Sequence, residues 1–465
     1  MARTEVFRGY RFDIGGHRFY TKIEEVDRLW REMLGEDFRS VRRLSRIFYG
    51  GGFYAYPLEL FNTLSNLGVR ESLLIVLSYL RVRLRPVREE ENLEQWVTNR
   101  FGSRLYRTFF QSYTEKVWGT SCQRIRADWA AQRIKGLSLT AAVWNAVFGD
   151  RGVRSLVNEF HYPVLGPGMM WERFREAVEQ QGGQVWLGSE AVRVHREVGG
   201  GIRAATVSGQ GGLSQIPADH FISTVPLADL IARLDPPAPP EVSLAASRLR
   251  YRDFILVGLI LDRPHVFPDQ WIYVHSPAVK VGRIQNFKNW SPAMVPDPRK
   301  TSLGMEYFCS EGDAIWTMAD GDLVSLAAEE LEGLGLARRG EVEGGVVFRQ
   351  RQAYPLYDED YRSNLDVIQR FLSTIPNLQS IGRNGLHRYN NQDHSMLTAL
   401  LAVRNILGGP ARDLWSLNTE RSYGEEFEVR RAGASRSLPA PALEGQAQAV
   451  FPVSATAASS PREGE

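Results

Sequence analysis

Gly382-Arg383-Asn384-Gly385-Leu386-His387-Arg388-Tyr389-Asn390-Asn391-Gln392-Asp393-His394-Ser395-Met396 is the stretch on which the reading of this chain turns. It follows a short apolar run at 378–381 and leads into an apolar run at 395–407. The pattern is a strand end, a polar loop with glycines, and a helix start. Asp393 or Ser395 is placed to cap that helix. The free N–H groups and the dipole at such a terminus stabilise negative charge. Arg383 beside them would suit a phosphate. An ordinary capped helix would look the same, and the residue types alone leave both readings open.

Working outward, the chain alternates strand and helix signals. Upstream, helices are expected at 361–375 and 323–334. Strands are expected at 346–354, 303–308, 271–274 and 255–261. A Pro-rich connector covers 235–240. Before it come short strands at 184–187, 191–196, 202–207 and 219–224, turned by Gly199-Gly200-Gly201 and by the glycines of 209–212. A helix over 170–181 ends at Gly182-Gly183 and follows a Pro/Gly-rich loop at 162–168. Residues 58–138 read as mainly helical, with Asn92 as a cap and Gly102 as a stop. Residues 47–57 read as a hairpin about Gly50-Gly51-Gly52, and 23–34 as a helix. Residues 10–20 read as strand, turn, strand about Asp13-Ile14-Gly15-Gly16. The tail, 424–465, is rich in Ala, Ser, Pro and Gly without periodicity and is expected to be disordered.

The composition bounds the function classes. At 465 residues with 43% hydrophobic and 24% charged residues, the chain is globular and long enough for two or three domains. A net charge of +2 offers no general attraction for nucleic acid. Cys122 and Cys309 are far apart, so neither a zinc site nor a disulfide framework is expected, and no metal. No signal peptide or spanning segment is visible, and a reduced cytoplasmic protein is expected. The run 73–80, followed by Arg81, Arg83, Arg85 and Arg88, reads as an amphipathic surface helix. Peripheral membrane contact is the sharper reading of it.

The segment 382–396 resembles the C-terminal flavin-binding motif of the amine oxidase, protoporphyrinogen oxidase and UDP-galactopyranose mutase superfamily of FAD-dependent flavoproteins. In that superfamily the helix lies under the flavin ring. The resemblance implies FAD contacts for Arg383, Asn391, Asp393, Ser395 and Met396. Phe12-Asp13-Ile14-Gly15-Gly16-His17-Arg18-Phe19 is similar to the family's flavin-facing turn, which places Gly15, Gly16, His17 and Arg18 at the cofactor. Gly166 to Phe174, then 185–196, resembles the Gly-rich turn and adenine-side strands, with Val192 backbone at the adenine. Phe221 to Leu227 resembles the strand and Pro turn that follow. The run Tyr113-Thr-Glu-Lys-Val-Trp118-Gly is similar to one in UDP-galactopyranose mutases, as is Tyr56-Pro57-Leu58. There, Tyr113, Trp118, Arg133, Lys135 and Arg283 would contact a nucleotide-sugar substrate. His387 stands where the mutases carry a substrate-site tyrosine, which counts against mutase activity, while Tyr389 is retained.

The implied fold is α/β. A discontinuous, Rossmann-like FAD domain (1–20, 160–235 and 376–423) is joined to a substrate domain of helices and antiparallel sheet (21–159 and 236–375). The implied function is an FAD-dependent oxidoreductase acting on a small-molecule substrate. A redox-neutral, mutase-like enzyme of a nucleotide-sugar is the alternative, and a non-catalytic remnant is a third. His17, His387 and Tyr389 are the candidate acids or bases, although a lone histidine is more often structural. A Gly-x-Gly-x-x-Gly turn between strand and helix is also expected of the family. The nearest runs, at 209–214 and 50–52, are followed by no helix pattern. The expectation is therefore an FAD domain truncated at its N-terminus, with FAD held weakly or not at all.

Overall fold

The strand Tyr251–Leu261 contains Phe-Ile-Leu-Val-Gly-Leu-Ile-Leu, an unbroken apolar run that suits a strand covered on both faces. It is buried from Arg252 onward, and its neighbour Thr301–Cys309 is buried throughout. In the computed structural model, which describes residues 2–56, 60–127, 159–358 and 360–417, these two strands lie inside a seven-stranded sheet. The order across it is Val342–Pro355, Tyr251–Leu261, Thr301–Cys309, Arg283–Asn286, Trp271–Val274, Ser45–Tyr49 and Gly52–Ala55. All pairs are antiparallel except Trp271–Val274 with Ser45–Tyr49. Arg133, Lys135, Pro57, Leu58 and the expected disordered tail lie outside the described residues.

The helix Asp320–Gly333 covers one face of the sheet, laying Leu323, Ala327 and Leu331 on Ile255, Val257 and Leu303. The other face packs Leu256 and Phe254 against Phe12, Phe160, Phe287 and Trp290. Two glycines make that second layer close. A Cβ on Gly258 would lie 2.7 Å from the Phe12 ring, and one on Gly304 would lie 2.8 Å from Phe287.

Among the described residues there are four smaller sheets, one of them the hairpin of Thr4–Phe7 with Tyr10–Asp13. Leu234–Asp235, Glu190–Arg196, Ile202–Gly209 and Gly212–Pro217 form another. Phe38–Arg42 pairs with Glu159–Pro163. Phe221–Ser223 pairs in parallel with Leu378–Ser380 and so delivers the chain into Gly382. Asn92 accepts a hydrogen bond from Gln95 N, and Gly102 ends its helix with φ +84°, both as expected. The glycines at 209–212 and 50–52 are hairpin turns, since Gly209 pairs with Gly212 and Tyr49 with Gly52.

Three expectations need correction. The first hairpin pairs Thr4–Phe7 with Tyr10–Asp13, so its turn is Arg8-Gly9. Both of those residues have positive φ, which a tight hairpin needs. Gly15-Gly16 instead begins an open loop. Residues 184–187 form no strand, because none of the described strands lies beside them to complete a ladder. Trp186 and Leu187 are left exposed there. The last helix is Gln392–Ile406 with Asn391 as N-cap, so Asp393 and Ser395 sit inside its first turn.

Gly304→Ala should lower unfolding stability by about 1–3 kcal/mol, because Phe287 and Leu256 have to give way. Urea unfolding of the full chain checks this, and an unchanged midpoint would contradict the packing described.

Candidate functional site

The hairpin Thr4–Phe7/Tyr10–Asp13 hands the chain to Asp13, which is buried. Its carboxyl accepts the hydroxyls of Thr4, at 2.8 Å, and of Tyr162. Burial raises it to about 7, opposed by those two hydrogen bonds. Gly15 follows with φ +98°, and Gly16 passes so close to Gln285 that a Cβ would lie 2.7 Å from Nε2. The backbone here is pressed against a side chain of the sheet's middle strand, Arg283–Asn286. The ring of His17 folds back, with Nε2 2.9 Å from the carbonyl of Ile14. Burial lowers His17 to about 3, so it is neutral at neutral pH. The guanidinium of Arg18 lies 5.9 Å from the centre of a Trp271 ring.

From the other side comes Gly382, whose N–H donates to Thr398 Oγ1. Arg383 donates to the carbonyl of Asn390 at 2.6 and 3.2 Å and to that of Ala353 at 3.2 Å. These bonds make it the clamp of its own loop. It also lies over Tyr389 (4.6 Å) and Tyr354 (5.6 Å), whose rings stack. The N-cap residue Asn391 makes no side-chain capping bond. Asp393 accepts from Thr21 Oγ1 and His394 N, and Ser395 donates to Asn390 Oδ1. Asn390 is buried, and its Nδ2 has no hydrogen-bond partner among the described residues. An uncapped helix start beside an orphaned buried donor is a seat for an electron-rich oxygen or nitrogen. The pyrimidine edge of a flavin fits it. Met396 offers only its backbone, because its sulfur accepts Trp30 Nε1 at 3.0 Å within the Phe19–Trp30 core. Val192 sits at a bulge between Ala191 and Arg193, with its side chain exposed.

Between these two segments lies a group of polar aromatics. Tyr113 stacks on His275 at 4.5 Å and meets Tyr273 edge-on at 5.7 Å. Tyr273 also contacts Tyr56 at 4.5 Å. Arg43 lies 5.4 Å from the Tyr56 ring and 5.7 Å from Trp271. Arg283 pairs with the fully buried Glu306, which also accepts from Gln285 Nε2 at 2.9 Å. Burial pushes Glu306 upward, and the two donors oppose that. Burial raises the phenol of Tyr113 well above its ordinary value, and burial raises Tyr354 as well. The charge of Arg283 acts on both phenols and on His17, so these groups share one region.

The run from Tyr113 to Gly119 divides by role. Lys116 donates to the carbonyls of Val274, Ser276 and Val281 at 2.9–3.2 Å, and burial lowers its ammonium to about 8. Gly119 leaves room for the guanidinium of Arg252, which binds the carbonyls of Val117 and Phe308. Trp118 packs on the helical core of Trp96 and Phe109. Tyr113 is the residue of this run that faces the other phenols. His387 lies against Tyr251 and Tyr357, with Nε2 3.3 Å from the carbonyl of Leu356, and burial lowers it to about 4. Its described contacts do not include the phenol group. Glu306, Tyr273, Gln285 and Tyr354 were missed by the sequence reading. Glu306 left a signal, being the one charge in Thr-Ser-Leu-Gly-Met-Glu-Tyr-Phe-Cys.

The sequence model for flavin-containing amine oxidoreductases matches residues 2–357. This chain belongs to that family. The family implies a flavin cofactor, typically FAD. Among solved structures, a reduced UDP-galactopyranose mutase superposes with a TM-score of 0.78 at 20% identity, covering 90% of each chain. A chain from Exiguobacterium sp. 255-15 described as a protoporphyrinogen oxidase gives 0.64 at 16%, covering 87% of this chain and 90% of that one. Putrescine oxidase with putrescine bound gives 0.53 at 15%, with the same coverage. At these identities the likeness establishes the fold.

The Asp13 network has a pH signature. The carboxyl is near 7 when folded and about 3.8 when exposed, so between those values the folded protein holds a proton that the unfolded chain has lost. Rising pH therefore removes stability, by about 1.4 kcal/mol per unit at most. Asp13→Asn should remove that slope and leave the two proteins similar near pH 4. Parallel stability curves from pH 4 to 7 would contradict the assignment.

Proposed function

We propose that the chain is an FAD-dependent oxidoreductase whose substrate is a small molecule bearing anionic or hydroxyl oxygens. In this reading, segments 1–20, 160–235 and 376–423 hold the cofactor, and 21–159 with 236–375 hold the substrate. The observation that carries it is the group set between the two candidate flavin segments. Tyr56, Tyr113, Tyr273, Tyr354 and Tyr389 lie there with Arg18, Arg43, Arg283 and Arg383, and the carboxylate of Glu306 is paired with Arg283. Guanidinia donate to oxygen and repel ammonium, and phenols can donate to the same oxygen. The turn at Gly15-Gly16 and the start of the helix Gln392–Ile406, with Asn390 Nδ2, would hold the isoalloxazine. Bound there, the flavin supplies hydride acceptance. The residues of the chain bind and orient. Arg283, fixed by Glu306, would place the substrate's anionic group, and Tyr113, on the rigid surface of His275, would donate to a substrate oxygen. His17 is neutral and donates or accepts without charge.

A second reading is favoured by the Tyr113-to-Gly119 run, in which Lys116 and Gly119 have structural roles and Tyr113 faces Tyr273 and His275. On it, the substrate is a nucleotide-sugar and the flavin acts in its reduced form with no net oxidation.

Anaerobic mixing separates the two. With FAD bound, a panel of small oxygen-bearing anions should bleach the flavin band, and polyamines should not. Arg283→Met should cut the bleaching rate by about a hundredfold or more, with flavin still bound. Bleaching by polyamines would sink the proposal. Sugar isomerisation that requires prior reduction would replace it with the second reading.

A further inference from the structure

The helix Val69–Leu84 is apolar on two sides. Its inner side buries Tyr79 and puts Ile75 into the core with Trp96 and Phe109. Its outer side leaves Val69 (88% exposed), Leu73 (59%), Leu77 (52%), Leu80 (51%) and Leu84 (83%) facing out. Their spacing of four, four, three and four keeps them on a single stripe. With the inner side already in the core, the outer stripe is a second apolar face that calls for an apolar partner.

The flanks of the stripe say which partner. At 100° per residue, Arg70 and Arg81 fall on one side of it and Arg83 on the other, and Arg85 and Arg88 follow at its end. All five are exposed. Glu71, the acid of this helix, is paired with Arg104, and Glu90, just beyond it, is paired with Arg100. Glu89 and Glu91 remain as counter-charges after the basic run. Arginines bordering a leucine stripe can lay their stems on the apolar surface and lift their heads to phosphate level. The stripe consists of Val and Leu, without the Trp, Tyr and Met that anchor protein interfaces. No helix among the described residues is long and apolar enough to cross a membrane.

We propose that the outer face of Val69–Leu84 docks this protein on an anionic phospholipid surface, lying in the interface with its leucines among the acyl chains. The opposite face keeps the helix attached to the core that also carries Tyr56 and Tyr273.

Vesicle flotation of the full chain tests it, using phosphatidylcholine vesicles with and without phosphatidylglycerol. The chain should float with the anionic vesicles and much less with the neutral ones, and salt should weaken the binding. Leu77→Glu with Leu80→Glu should reduce binding about tenfold or more, since both side chains leave the apolar phase. Both positions are exposed, so the urea midpoint of the variant should stay put. No flotation of the parent, or equal flotation of the variant, overturns the proposal. A dimer in solution that the double variant splits also overturns it, because a second copy then covers the stripe.

Discussion

A carboxylate in the middle of an apolar sheet has to be paired, because an unpaired buried charge costs several kcal/mol. Glu306 is fully buried and is paired twice, with Arg283 and with Gln285. Those two partners then set the positions of their neighbours. Gln285 is the surface against which Gly16 lies, with no room for a side chain between them. Arg283 is the charge that acts on Tyr113, Tyr354 and His17. One buried acid thus links the central sheet, the glycine turn and the phenol group. Losing it would leave Arg283 charged in the interior and free Gln285 to turn away from Gly16.

The same economy runs through the Tyr113-to-Gly119 segment. Lys116 fastens the loop after Trp271–Val274, and Gly119 admits Arg252. The His275 ring that stacks on Tyr113 stands on that loop, so the lysine fixes the tyrosine's platform without touching the tyrosine. Arg383 acts likewise, closing the 382–390 loop on two carbonyls while supporting the Tyr354–Tyr389 pair. Basic residues in these motifs are mostly scaffold, and the phenols face inward.

Much of this was legible in the sequence, and the exceptions have physical causes. The strand expected at 255–261, the cap at Asn92 and the stop at Gly102 are local signals, and each appears in place. The strand expected at 184–187 was not formed, because a strand requires a neighbour that its own sequence cannot supply. Asp393 and Ser395 have cap chemistry but lie inside the first turn, past the cap position, held by Thr21 from elsewhere in the fold and by Asn390 of the preceding loop. The family was readable from four segments in order. The pairing of Glu306 with Arg283 and Gln285 on the neighbouring strand was not, since it depends on register across the sheet. Arg133 and Lys135 lie outside the described residues, and Arg283 is the diphosphate candidate that reaches the phenol group.

The central claim is that the Gly15-Gly16 turn, pressed on Gln285, and the start of the helix Gln392–Ile406 together seat a flavin. Titration of the full chain with FAD, followed by flavin absorption and fluorescence, tests it most directly when Gly16→Val is measured beside the parent. The account predicts saturable binding by the parent and affinity lower by about tenfold or more in the variant, with the near-ultraviolet circular dichroism of the fold retained. Equal flavin binding by both proteins, or none by the parent, would contradict it.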